Sequence, residues 1–175
     1  GGGSSSAAAG GGGAAYNVSI IGDMSGAVSA IVSHGVGGFQ TAISAINDAG
    51  GVNGRKINVS SPIDSQSTAQ GGQAAFREAI GKNPDAVVMS TTSTEVAGIA
   101  PVAEGAGITL LAVANDDGQA VPPKIYYYSA TLNSTSAGNA YANAIKGELG
   151  TLSGKNVAII VSNSVSTIAY GNKLQ

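Results

Sequence analysis

From Tyr16 onward, short apolar runs alternate with stretches of helical periodicity, and this alternation restricts the chain more than any single residue does. "YNVSIIG" (Tyr16–Gly22), Ile57 to Ser60, Ala86 to Met89 and Ile108 to Val113 are short and bounded by Gly, Pro or polar residues, as buried strands are. "KIYYYSA" and "KNVAIIVSN" are read as two further strands. Between the runs, Phe39, Ala42, Ile43 and Ile46 fall at i, i+3, i+4 and i+7, which predicts a helix from Gly38 to Ala49 stopped by Gly50 and Gly51. Ala75, Phe76, Ala79 and Ile80 share the face of a second helix, capped by Ser67 or Thr68 and ended at Gly81 before Pro84. A third runs from about Thr94 to Ala106, and a fourth from Thr135 to Leu149 carries Ala137, Tyr141, Ala144 and Ile145. "DMSGAVSAIVSHGVGG" reads as a small-residue loop. The expected fold is α/β, a parallel sheet with helices on both faces, with any ligand outside the carboxyl ends of the strands.

Composition narrows the chemistry. Of 175 residues, 8 are basic and 10 acidic, for a formal charge of -2, so no basic surface invites nucleic acid or an anionic membrane. Abundant Gly (27) and scarce aromatics favour close packing of helix on sheet. Cysteine is absent, which removes disulfides, thiolate metal sites and a Cys nucleophile; no metal or cofactor is expected. No apolar run approaches the roughly 18 residues of a membrane span. Residues 1–15, "GGGSSSAAAGGGGAA", hold too little apolar area to offset ordering and read as a flexible tether. It is either an engineered linker or the tether of an exported lipoprotein, lipidated on a cysteine just upstream of Gly1. The irregular repeat favours the second.

The strand at Ala86 to Met89 ends in five consecutive hydroxyls, Ser90 to Thr94, at the start of a helix. A buried strand needs none of them and a helix cap needs one. At a helix N-terminus the surplus suits an anion; the plainer reading is that Ser93 or Thr94 caps the helix with help from Glu95 and the others solvate the turn. The single histidine, His34, lies in a Gly-rich stretch without acidic or Cys neighbours and reads as a loop residue. Asp116 and Asp117 precede Gly118 and could be turn formers. "GVGGFQ" has the wrong glycine spacing for a dinucleotide fingerprint, and no GxxxxGK[ST] occurs.

Several segments, in order, carry a resemblance: "IGDMSG", "AINDAGGVNGRKINV", "DSQST", "TSTEVAGIAPVAEGAGI" and "AYGNKL". Over Tyr16 to Gln175 the chain resembles the type I periplasmic solute-binding proteins, particularly the branched-chain amino acid binders of ABC transporters. "INDAGGVNGRKI" is the most specific element. The resemblance implies two α/β lobes closing on a ligand: lobe one over 16–120, a hinge crossing at 121–133, and the start of a truncated lobe two at 134–175. It implies a ligand carboxylate held by Ser93 and Thr94, an ammonium held by the Ala114 carbonyl and Asp116, a hinge residue at Asn133 and a second-lobe tyrosine at Tyr170. The chain departs from the family where Ala112 and Val113 replace a usual Ser-Pro pair, where Asp116 stands for a usual threonine, and where Asn133 is uncharged.

The function so implied is capture of an amino acid or similar small polar solute for an ABC importer permease, at the periplasmic or cell-surface side, with no catalytic residue and no nucleic-acid partner. The ligand-binding region of a sensor is the alternative. An α/β enzyme is the weaker third, because no base accompanies the hydroxyl run.

Overall fold

The structure, a computed structural model, describes residues 13–114, 124–151 and 153–174. Its elements are β1 (Tyr16–Gly22), α1 (Ser29–Val32), α2 (His34–Asp48), β2 (Ile57–Val59), β3 (Ile63–Asp64), α3 (Ala69–Ile80), β4 (Ala86–Ser90), α4 (Ser93–Ala106), β5 (Thr109–Ala112), β6 (Tyr127–Ser129), α5 (Ser134–Leu149) and α6 (Val165–Leu174). The sheet runs β2-β1-β4-β5-β6, with β3 also on β1, and every pair is parallel, as the alternation predicts.

Side chains alternate across this sheet. Ile21, Val87, Met89, Leu110 and Ala112 join Ala75, Phe76 and Ala79 of α3 and Val96, Ile99, Ala100 and Ala103 of α4 in one core. Ile20 and Val88 point the other way, onto Val36, Phe39 and Ile43 of α2. The helix after β1 thus covers one face and those flanking β4 cover the other. The strand order reverses between β1 and β4, where a doubly wound sheet opens a crevice at its carboxyl edge.

The segment "INDAGGVNGRKI" is a stop and a restart. Asn53 (φ 51) and Gly54 (φ 77) sit between Val52 and Arg55, which exchange backbone hydrogen bonds of 2.8 and 3.0 Å: a two-residue hairpin that needs positive φ at both centres. Asn47, near the end of α2, donates from Nδ2 to the Ile57 carbonyl (2.8 Å) and accepts from the Ile57 N–H (2.7 Å), standing in for a neighbouring strand on the sheet edge.

Two sequence expectations need correction. The expected loop over Asp23 to Gly38 contains α1 and the first turn of α2, and His34 is an exposed residue opening that helix. The periodic face extends upstream through Val32 and Val36, and of the glycines that suggested a loop Gly35 serves packing: a Cβ on it would lie 2.0 Å from Ser90 Oγ, while Gly37 and Gly38 face open space. The second concerns "KNVAIIVSN". Residues 155–162 form no strand, because no described strand lies beside them to supply the ladder. The helix α6 that follows was not expected.

Candidate functional site

Parallel register sets Gly22 beside Ser90 and Met89 beside Ala112, so β1, β4 and β5 end together. The residues that continue each strand meet there. A cavity of about 380 Å³ opens at this edge, lined by Val28, Val32, Thr91, Thr92, Ser93, Val113, Ala114 and Thr131, and on the far side by Ser162, Ser164 and Ser166. A larger hollow of about 690 Å³ lies along α2 and the edge strand β2; it is a surface groove at the outer edge of the sheet, away from the point between β1 and β4 where the strand order reverses.

The five hydroxyls of the β4–α4 junction separate into distinct tasks. Ser90 donates to the Val32 carbonyl (2.7 Å), tying β4 to α1. Thr92 caps α4: its Oγ1 accepts from the Glu95 N–H (3.4 Å) while Glu95 Oε2 accepts from the Thr92 N–H (3.0 Å), a complete capping box. Ser93 is buried, lines the cavity, and its Oγ accepts from the Ser166 N–H at 3.3 Å. Thr91 is 3% exposed, and its Oγ1 has no partner. Thr94 is exposed and does not line the cavity.

The loop between β1 and α1 is pinned by the segment after β3. Asp64 Oδ1 accepts from the N–H groups of Met24 (3.0 Å), Ser25 (3.2 Å) and Gln66 (2.9 Å), and Oδ2 accepts from Ser25 Oγ. Burial pushes the Asp64 carboxyl up, but these donors outweigh it and hold the group below the ordinary value. Asp23 Oδ1 accepts from Ser65 Oγ and the Ser67 N–H. "IGDMSG" and "DSQST" therefore interlock beside the cavity. Behind Thr92, Glu95 is 1% exposed, and burial, with the neighbouring Asp23, pushes its carboxyl up to about 7.

Of the residues singled out in the sequence, Ser93 and Ala114 reach the cavity. The Ala114 carbonyl accepts from Ser129 Oγ (2.7 Å) and Thr131 Oγ1 (2.8 Å), so an ammonium there would displace or join a hydroxyl. Asp116 lies outside the described residues. Asn133 caps α5 by accepting from the Ser136 N–H (2.8 Å), and Tyr170 packs edge-on against Tyr141 with centroids 6.1 Å apart; neither lines the cavity. Thr131 and the Ser162 to Ser166 segment are additions from the structure, and Thr91, one of the five hydroxyls of the run but given no role of its own, also lines the cavity. A T-x-x-E signal, Thr92 to Glu95, was available in the sequence for the cap. Among the described residues no cluster of three or more metal-ligating side chains occurs, and no helix is long and apolar enough to cross a membrane.

A family model described as "Periplasmic binding protein" matches residues 15–174. No curated protein matches the sequence. Among solved structures, the branched-chain amino acid transporter substrate-binding protein LivJ from Streptococcus pneumoniae, in complex with isoleucine, is 25% identical with a TM-score of 0.69; the match covers 78% of this chain and 39% of that one. The leucine-binding protein LivK from Thermotoga maritima is 18% identical, with a TM-score of 0.78 and coverage of 91% and 44%. A solute-binding protein of an ABC transporter from Rhodopseudomonas palustris, in complex with 3,4-dihydroxybenzoic acid, is 15% identical, with a TM-score of 0.74 and coverage of 91% and 44%. The chain spans less than half the length of each of these structures.

Proposed function

The chain belongs to the periplasmic binding protein family, and we propose that it captures an amino acid or similar small polar solute at the carboxyl ends of β1, β4 and β5 for an ABC importer. The observation that carries the reading is the cavity at the point where strand order reverses, with buried Ser93 at the N-terminus of α4 on one wall and Ser162, Ser164 and Ser166 on the other. Solved members of the fold hold isoleucine or 3,4-dihydroxybenzoic acid, and both ligands carry a carboxylate.

In this reading the solute carboxylate sits at the first turn of α4. The N–H groups there have no partner within the helix and present the positive end of its dipole, while Ser93 Oγ–H adds a charge-assisted donor. The ammonium end is assigned to the Ala114 carbonyl and Asp116. Residues 16–120 form lobe one, 121–133 the crossing and 134–175 the beginning of lobe two. The Ser93–Ser166 hydrogen bond marks where the two walls meet, and closure would bring the serines of the second wall over the solute. Thr94 would contribute only through its backbone N–H at the helix end, and Asn133 and Tyr170 through the crossing and the second wall, rather than by lining this cavity.

A binder is favoured over an enzyme because none of the described residues lining the cavity is a His, Lys or carboxylate able to act as a base beside the hydroxyls. The family implies a location outside the cytoplasm, and in this reading the protein works in the periplasm or on the cell surface. A lipid anchor upstream of Gly1 and an importer permease as partner complete the proposal. Titration calorimetry of the purified chain against L-amino acids, with 3,4-dihydroxybenzoate as a carboxylate control, tests it. Saturable heat with at least one amino acid is expected; none with any of them removes amino acid capture.

A further inference from the structure

Thr91 is the residue whose chemistry the fold does not use. It follows the last residue of β4, is 3% exposed and lines the cavity, yet its Oγ1 has no hydrogen-bond partner. The neighbouring hydroxyls are engaged: Thr92 with Glu95, Ser93 with the Ser166 N–H, Thr131 with the Ala114 carbonyl, and Ser162 and Ser164 with Thr167. A buried hydroxyl without a partner is unfavourable, and valine has the same shape without that penalty. Valine is already used on this wall at Val28, Val32 and Val113.

We propose that Thr91 is a specificity-determining residue that selects solutes bearing a neutral hydrogen-bonding substituent, such as a hydroxyl, over their aliphatic isosteres. The inference rests on the cavity being the solute site. The solute's own hydroxyl meets Thr91 Oγ1, while Val28, Val32 and Val113 take the apolar part of the side chain. An aliphatic solute leaves Thr91 buried and unpaired, and that difference is the source of discrimination.

L-Threonine and L-valine are matched probes, because they differ by one hydroxyl in place of one methyl. Calorimetry on the parent, Thr91→Val and Thr91→Ser should give a preference for L-threonine of roughly tenfold in the parent, the ratio that one neutral buried hydrogen bond supplies. Thr91→Ser should keep the preference and Thr91→Val should erase or reverse it. An unchanged ratio in Thr91→Val overturns the assignment. Binding of neither probe by the parent would count against the amino acid reading, and Thr91 is then decided by melting temperature. A Thr91→Val protein as stable as the parent or more so supports a hydroxyl held for the cavity, and a clear drop shows that it serves the fold and overturns the inference.

Discussion

Glu95 and Asp23 bring two carboxyl groups together where neither meets water: Asp23 is 0% and Glu95 1% exposed. Each carboxyl accepts hydrogen bonds on one oxygen only, Asp23 from Ser65 and Ser67, Glu95 from Thr92. The other two oxygens, Asp23 Oδ2 and Glu95 Oε1, have no donor. A proton kept on Glu95 and donated to Asp23 accounts for both. α3 closes over the pair at Gly72, where a Cβ would stand 3.2 Å from that of Glu95.

Stability should therefore depend on pH in the direction opposite to an ion pair. Burial, with Asp23 adding, moves Glu95 from 4.5 to about 7. Between those values the folded chain binds more protons than the unfolded one. The contribution of Glu95 is thus complete below about pH 4.5 and is lost as pH rises through about 7, a change on the order of a few kcal/mol. Glu95→Gln keeps an acceptor for the Thr92 N–H and supplies a permanent donor to Asp23. Calorimetric melting at about pH 5 and about pH 8 should show the variant overtaking the parent at the higher pH. Equal behaviour of the two proteins at both would dispose of the shared proton.

Asn47 carries two hydrogen bonds to the backbone of Ile57 at the sheet edge. Asn47→Ala leaves that N–H and carbonyl to water and frees the hairpin that follows. The expected loss is about 1–3 kcal/mol in denaturant unfolding. A midpoint shift too small to resolve would mean that β2 is held by its pairing with β1 alone.

Ser93 and Thr94, adjacent in sequence, should differ in their effect on binding. Ser93 is buried in the cavity wall, whereas Thr94 is exposed one position further along α4. Under the proposed function, Ser93→Ala removes a donor to a carboxylate and should weaken solute binding by about 1.5–3 kcal/mol. Thr94→Ala should leave affinity within error. Calorimetry that ranks the two variants in the reverse order would move the carboxylate away from Ser93.

Strands β1 and β4 were readable because both faces of a parallel sheet are buried, so that short apolar runs such as "SIIG" and "AVVM" stand out, whereas the two-residue β3 is too short to leave a pattern. α3 was readable to a choice of two caps, Ser67 or Thr68, of which Thr68 accepts from the Gly71 N–H. The first turn of α2 was masked by Gly35, whose reason for being glycine is the distant Ser90. At the site, the hydroxyl run announced a function for the junction but not which hydroxyl does what. That Thr91 is unpaired, that Ser93 meets Ser166 and that Thr94 faces solvent depend on burial and on contacts from residues 70 or so positions away, which no local pattern records.

The segment expected as a last strand leads to a prediction of its own. Val157, Ile159, Ile160 and Val161 are exposed, Ile160 at 95%, in a stretch that has no strand partner among the described residues. The same segment lines two hollows against α5 and α6 with Ala142, Ile145, Tyr170 and Leu174. An unpaired apolar stretch leaves its backbone donors and acceptors open as well as its side chains, so it can recruit another chain through both. The 175-residue chain should associate with itself in a concentration-dependent way. Ile160→Lys adds a charge at the most exposed of these positions and disturbs no buried contact, so it should shift the population toward monomer without lowering the melting temperature. Size-exclusion chromatography with light scattering over a dilution series reads both proteins. A parent that is monomeric throughout would show that this segment is covered by the chain itself.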